Sequence, residues 1–123
     1  MRVAVCQVNS REDRDRNLVV AREMLERAAA AGAEFAVLPE YVDYLGPGDG
    51  APKPEGADGE FAAFFAGAAR ELGIWVHAGS FHEAGPDANR TYNTSLVFDP
   101  TGLICRIHAA TNDVDDAGAA SPN

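Results

Sequence analysis

The side chain best placed for chemistry is Glu40. It follows Pro39 at the end of an apolar run, where the backbone holds a carboxylate at the mouth of a cleft. A carboxylate fixed there can take a proton from a nucleophile. The competing readings are a solvated loop acid and an acid at a helix N-terminus, and position alone leaves them open. Tyr41 and Tyr44 come next in the chain and are candidates for a substrate-pocket wall. So are Tyr92 and Asn93, which with Arg90 begin a strand beside a turn and otherwise serve to pin a hairpin. His77 falls inside an apolar run, where a histidine is more often a hydrogen-bonded core residue than a catalyst. Ser80 and His82 are two apart but lack the glycine elbow that presents a nucleophilic serine. Cys6 and Cys105 each sit in an apolar run and read as two buried, reduced thiols rather than a disulfide. No cysteine or histidine spacing suggests zinc, and no cofactor or metal is expected.

These residues need elements to position them. Val3 to Val8 reads as a strand. From Arg14 to Ala31, Leu18, Ala21, Met24, Leu25, Ala28 and Ala29 recur at helical spacing, with Asp13 or Asp15 as the cap and Gly32 as the stop. Glu34 to Leu38 is a second strand. Strand, helix and strand over this length make a βαβ unit with parallel, right-handed connectivity. In such sheets ligands bind beyond the carboxyl ends of the strands, which is where Glu40 lies. A loop rich in Gly, Pro and Asp spans 41–57, long enough to suggest function. Glu60 to Leu72 is a second amphipathic helix with Phe61, Phe64, Phe65, Ala68 and Leu72 as its buried stripe, closed by Gly73. Ile74 to Phe81 and Thr91 to Phe98 are further strands. Asp99-Pro100-Thr101-Gly102 is a turn, and Leu103 to Ile107 pairs back as a hairpin. Beyond His108 no periodic apolar face remains. The expectation is a domain over 1–108 and a frayed tail over 109–123.

Bulk properties agree with one globular domain. Of the residues 46% are hydrophobic and 24% charged, with a formal net charge of −9. So acidic a surface repels phosphate backbones and anionic lipids, which argues against nucleic-acid and membrane partners. The opening residues enter a strand with no signal-peptide core, so the expected location is the cytoplasm. The matches to the N-glycosylation pattern at Asn89 and Asn93 then read as chance.

Four segments together resemble the nitrilase superfamily of carbon–nitrogen hydrolases. They are Arg2-Val3-Ala4-Val5-Cys6-Gln7-Val8-Asn9, Phe35-Ala36-Val37-Leu38-Pro39-Glu40, Gly79-Ser80-Phe81-His82-Glu83 and the run from Arg90 to Gly102. Their order and spacing match from Met1 to about Ile107, and Gly79 to Glu83 leans toward the branch of deaminated-glutathione and ω-amidases. The resemblance implies an α/β fold, the first half of an αββα sandwich with helices packed on one face of a mixed sheet. It also implies hydrolysis of a small amide or nitrile by a Glu–Lys–Cys triad, with Glu40 at the general-base position.

The departures from that pattern are as informative. Where the family carries Tyr-Arg-Lys-x-His-Leu-Phe, this chain reads Ile104 to Val114 without a lysine. Counting from Gly102 puts Ala110 at the lysine position, counting back from Asp113 gives His108, and aligning the histidines gives Arg106. Arg106 is a candidate replacement for the charge, although a guanidinium differs from an ammonium in reach and hydration. The chain's one lysine is Lys53, in the long loop. Neither cysteine matches the family's nucleophile. The expectation is therefore an enzyme portion inactive by itself. The alternative is a non-catalytic binding or assembly module that pairs its uncovered sheet with another copy or a complementing chain. A flavodoxin-like nucleotide-binding domain is disfavoured, because the loops after the first two strands lack a Gly-rich phosphate cradle.

Overall fold

The computed structural model describes residues 1–47, 51–87 and 90–113, with side chains as far as Cys105. Two helices and six strands follow one another as β1 (Val3–Val5), α1 (Arg14–Ala30), β2 (Phe35–Val37), α2 (Glu60–Leu72), β3 (Trp75–His77), β4 (Phe81–Ala84), β5 (Arg90–Phe98) and β6 (Ile104–Asp113). β1, β2 and β3 are parallel, with Val3, Phe35 and Trp75 in register. β5 runs antiparallel to β3 at Val76–Phe98 and to β4 at Phe81–Thr94, while β6 covers its other side. The sheet is mixed, as expected.

Local chemistry sets the helix ends. Asp13 caps α1 by accepting from the Arg16 N–H, and the helix closes at Gly32 with φ +87°. α2 starts at Gly59, which has no capping side chain. The Glu55 carboxylate fills that role from the preceding loop by accepting from the Phe61 N–H, and Arg14 of α1 binds its other oxygen at 2.8 Å. The Ala84 N–H donates to the Glu55 carbonyl, so the loop is tied to β4 as well.

Both helices pack on the same sheet face. Leu18, Ala21, Leu25 and Ala28 of α1 and Phe61, Phe65, Ala68 and Ala69 of α2 are buried there with Ala36, Val76, Leu96 and Phe98. The Phe61 ring stacks on Phe81 at 4.3 Å and lies 4.9 Å from Phe65. Burial of each phenyl side chain contributes roughly 2–3 kcal/mol. Strand residues alternate between faces, so the opposite face carries Val3, Phe35 and Trp75 in one row and Val5, Val37, His77 and Val97 in the next. That face has no covering layer among the described residues: Val5 is 84% exposed and Trp75 41%.

Three expectations need correction. The single strand read over 74–81 is two, broken at Ala78-Gly79-Ser80, because Gly79 has φ +65° and turns the chain. The last strand continues to Asp113, so residues 109–113 pair with β5 and are not a tail. Backbone pairing to a long partner strand carries that segment without an apolar pattern of its own. Residues 114–123 lie outside the described ones. Finally, Cys6 is buried but Cys105 is exposed, because it pairs with Val97 and so shares the sheet face that no layer covers among the described residues.

This difference gives a direct test. Burial pushes the Cys6 thiol up from its ordinary range, which lowers its thiolate fraction. With iodoacetamide at pH 8, Cys105 should alkylate at least about tenfold faster than Cys6. Peptide mass spectrometry over a time course reads both rates, and denaturant should equalise them.

Candidate active site

β2 leads directly to the site. The Leu38 N–H donates to the His77 carbonyl at 2.9 Å, extending the β2–β3 ladder by one step, and Pro39 then ends it because it has no N–H to donate. Just past the end of β3, Gly79 passes so close that a Cβ there would stand 1.9 Å from the Pro39 carbonyl oxygen. The bend at Gly79 brings Ser80 under the residues that follow Glu40. Ser80 Oγ accepts from the Tyr41 N–H at 2.9 Å, and the Ser80 carbonyl accepts from the Val42 N–H at 3.0 Å.

The result is an open pocket of 220 Å³ at the carboxyl end of β2, lined by Leu38, Glu40, His77, Gly79, Ser80, Asn93 and Ser95. Glu40 is exposed at its rim. The Asn93 amide Nδ2 donates to Glu40 Oε2 at 3.4 Å. A carboxylate only accepts, so this contact orients the amide and turns Asn93 Oδ1 inward, where it is buried without a hydrogen-bond partner among the described residues. Glu40 is therefore an acceptor open to the pocket, with the Asn93 amide fixed beside it. His77 Nδ1 accepts from the Gly79 N–H at 3.1 Å, which leaves its ring proton on Nε2.

The structure separates the other candidate residues. Tyr41 is half-buried and adjoins Glu40, with its ring stacked on His82 at 4.7 Å. Tyr44 is buried, and its hydroxyl donates to the Pro47 carbonyl at 2.7 Å, so it is a loop anchor and not a pocket wall. Tyr92 also leaves the pocket: it precedes Asn93 on β5, and alternation puts it on the other sheet face. The Arg106 side chain lies outside the described part, but its backbone pairs with Leu96. A bulge between Ser95 and Leu96 then shifts the register, so His108 pairs with Ser95 and Ala110 with Asn93. Of the three positions the sequence offered for the missing lysine, only Ala110 has a backbone partner that contacts Glu40.

Two residues were missed by sequence reasoning. Asp43 is buried and accepts from both the backbone N–H of His82 and its ring Nδ1, each at 3.0 Å to Oδ2. Its own carbonyl accepts from Asn17 Nδ2 of α1 at 2.9 Å. A polar residue in a loop rich in Gly, Pro and Asp gave no signal of burial. Ser80 was discounted with His82 as a nucleophile–base pair, and among the described residues no hydrogen bond joins them; what the sequence did not show is that Ser80 anchors the Tyr41 turn.

With this geometry in view, similarity to known proteins becomes informative. The carbon-nitrogen hydrolase family profile matches residues 2–114. The chain belongs to the carbon-nitrogen hydrolase family. It is 33% identical over 118 residues to the deaminated glutathione amidase of Rattus norvegicus, an alignment covering 92% of this chain and 36% of that protein. It is 32% identical over 120 residues to an omega-amidase of Danio rerio, covering 95% and 43%. The crystal structure of the Caenorhabditis elegans NitFhit protein superposes with a TM-score of 0.73 at 31% identity, over 89% of this chain and 27% of that one. The nitrilase-superfamily fold expected from the sequence is thus the fold observed, and the rat and zebrafish relatives are amidases by name. The chain spans about a third of the length of the deaminated glutathione amidase it matches.

The approach of Gly79 to Pro39 is the feature of this hydrolase-family site most exposed to mutation. Gly79→Ala should destabilise the chain by about 2–4 kcal/mol, since it meets both a backbone overlap and a positive φ. Gly67→Ala, mid-helix in α2 where a Cβ meets only Arg70 at 3.9 Å, should stabilise it by about 0.5–1 kcal/mol. Urea unfolding of both variants checks the contrast through the shift of midpoint at constant slope.

Proposed function

We propose that this chain supplies the general base of an amide hydrolase, and that Glu40 is that base. The observation that carries the reading is the position of Glu40 at the carboxyl end of β2, on the rim of a pocket that its hydrogen-bond partner Asn93 also lines. In the proposed reaction a cysteine thiol attacks the amide carbonyl carbon. Glu40 accepts the thiol proton and passes it to the leaving amine, so that ammonia or an amine departs and a thioester remains. Water then attacks the thioester carbonyl, again losing a proton to Glu40. The thiol leaves with a proton and the carboxylic acid is released. A lysine ammonium stabilises the tetrahedral oxyanion in both steps. The substrate class is a small, non-peptide amide, in keeping with the names of the amidase relatives.

Neither Cys6 nor Cys105 suits the nucleophile's role. Cys6 is buried, with its thiol pushed up by burial, and Cys105 lies near the far end of β6 from the residues paired with Asn93. In our reading the nucleophile and the cation come from polypeptide outside these 123 residues. Arg106 is a poor substitute for the cation, because its backbone partner is Leu96 and not Asn93. The same polypeptide would cover the open sheet face that carries Val3, Val5 and Trp75, since an apolar surface of that kind marks an interface.

A second reading is favoured by that face alone: the chain is a non-catalytic assembly module, and another copy of it or a complementing chain is the cover. Mass by light scattering separates the two readings, because a stable dimer of this chain with no gain of activity on complementation supports the module.

The test of the enzyme reading is ammonia release from small aliphatic primary amides. The chain alone should show none. Co-expressed with the remaining two-thirds of a deaminated glutathione amidase, it should turn over. In that complex Glu40→Gln should lower kcat by about 10²- to 10⁴-fold. Turnover that survives Glu40→Gln would remove Glu40 from the mechanism.

A further inference from the structure

The turn after Glu40 is held in a conformation that its own residues do not favour. Among the described residues Tyr41 is the one non-glycine with positive φ, at +52°. Residues stay in that region only where their surroundings over-determine them. Here the surroundings are the first three residues of one segment, Ser80 to His82. Ser80 binds the Tyr41 and Val42 N–H groups with its hydroxyl and carbonyl oxygens. The His82 ring stacks on the Tyr41 ring with 17° between planes, and the Tyr44 ring meets its edge at 6.5 Å. His82 is in turn fixed by the buried Asp43 carboxylate, which takes its backbone N–H and its Nδ1. Asp43 is held to α1 by Asn17, whose side-chain amide also exchanges two hydrogen bonds with the Arg11 backbone.

The geometry points to Asp43 and His82 as a clamp that fixes the Glu40–Tyr41 turn, with His82 a positioning residue for the general base. The assignment rests on the reading of Glu40 as that base. His82 pairs directly across the ladder with Asn93, and directly opposed residues lie side by side on one sheet face. The clamp therefore reaches Glu40 from two directions, through Tyr41 along the chain and through Asn93 across the strands. A buried carboxylate needs donors, and one histidine supplies two of them in fixed geometry. Its ring meanwhile offers a flat surface for Tyr41. The arrangement is not a hydrolytic triad. The Ser80 hydroxyl already accepts from Tyr41, and no hydrogen bond links it to His82 among the described residues.

Amide hydrogen exchange on the 123-residue chain, followed by NMR, tests the clamp without needing turnover. In His82→Ala, the Tyr41 and Val42 amides should exchange at least about tenfold faster, while Val76 in the core keeps its protection. His82→Gln, whose side-chain amide can still donate to Asp43 but has no ring to stack, should give a smaller rise; it decides the matter if the alanine variant does not fold. Unchanged exchange at both amides, or a rise shared equally by Val76, overturns the clamp. In the complemented hydrolase, His82→Ala should lower kcat by about 10- to 100-fold at constant KM, with partial recovery in His82→Gln. A raised KM at unchanged kcat would make His82 a substrate contact and overturn the positioning role. If the unmodified complex shows no turnover, the enzyme reading fails while the exchange result still decides the clamp.

Discussion

The contact on which the site depends is between two stretches of backbone. Gly79 lies against the Pro39 carbonyl at a separation that excludes even a methyl group. Because β2 and β3 are adjacent and parallel, both strands end at the same level, and both chains must turn there without colliding. Proline ends the ladder on one side by lacking a donor, and glycine turns the other side with a positive φ. The turn lets β4 restart at an offset, still paired to β5 but beyond the end of β3. That offset puts Ser80 and His82 beside the Glu40 turn and gives Asn93 a place opposite His82. Without the bend, residues 74–84 would form one straight strand and the pocket would have no floor.

The segment Gly79 to Glu83 shows how each residue of a short motif can answer to a different force. Gly79 provides close approach, Ser80 two acceptors for a strained turn, and Phe81 an aromatic face for Phe61 in the helix-side core. His82 binds Asp43 and stacks on Tyr41. Glu83, buried on the helix side, accepts from Thr94 Oγ1 at 2.8 Å. Alternation along β4 separates these roles cleanly: Phe81 and Glu83 face inward and His82 faces the open side. Thr94 satisfies one oxygen of the buried Glu83 carboxylate.

The fold was largely legible in the sequence, because both helices have strong 3.6-residue patterns and the strands are short apolar runs between turn residues. The α2 limits, Glu60 and Leu72, were read to the residue, since the acidic first turn and Gly73 mark both ends. The placement of Glu40 was legible for a different reason: its neighbours Leu38 and Pro39 announce a strand end. The rest was hidden where tertiary contacts override local pattern. Residues 109–113 look featureless because β5 supplies their order through backbone hydrogen bonds. Asp43 looked like loop because its burial depends on His82, 39 residues away. Tyr92 and Asn93 appeared equivalent until the strand phase was known, and one residue of phase puts them on opposite faces.

The two faces of the sheet point to a division of labour. On the helix side, Ala36, Val76, Leu96 and Phe98 are fully or nearly fully buried, and the domain's stability resides there. On the other side, the rows through Val5 and Trp75 remain open, and it is on this side that Asn93 and Ser95 line the pocket with Glu40. A catalytic carboxylate works best where water is restricted and its partners are fixed in advance. This chain fixes the turn that carries Glu40, by Ser80, His82 and Asp43, but leaves Glu40 exposed at the rim. Restricting water requires a second layer over the open rows. In the proposed reading the apolar cover and the completion of the pocket are one requirement, because a polypeptide that sealed Val3, Val5 and Trp75 would be positioned by the same contact to bring its own groups to Glu40.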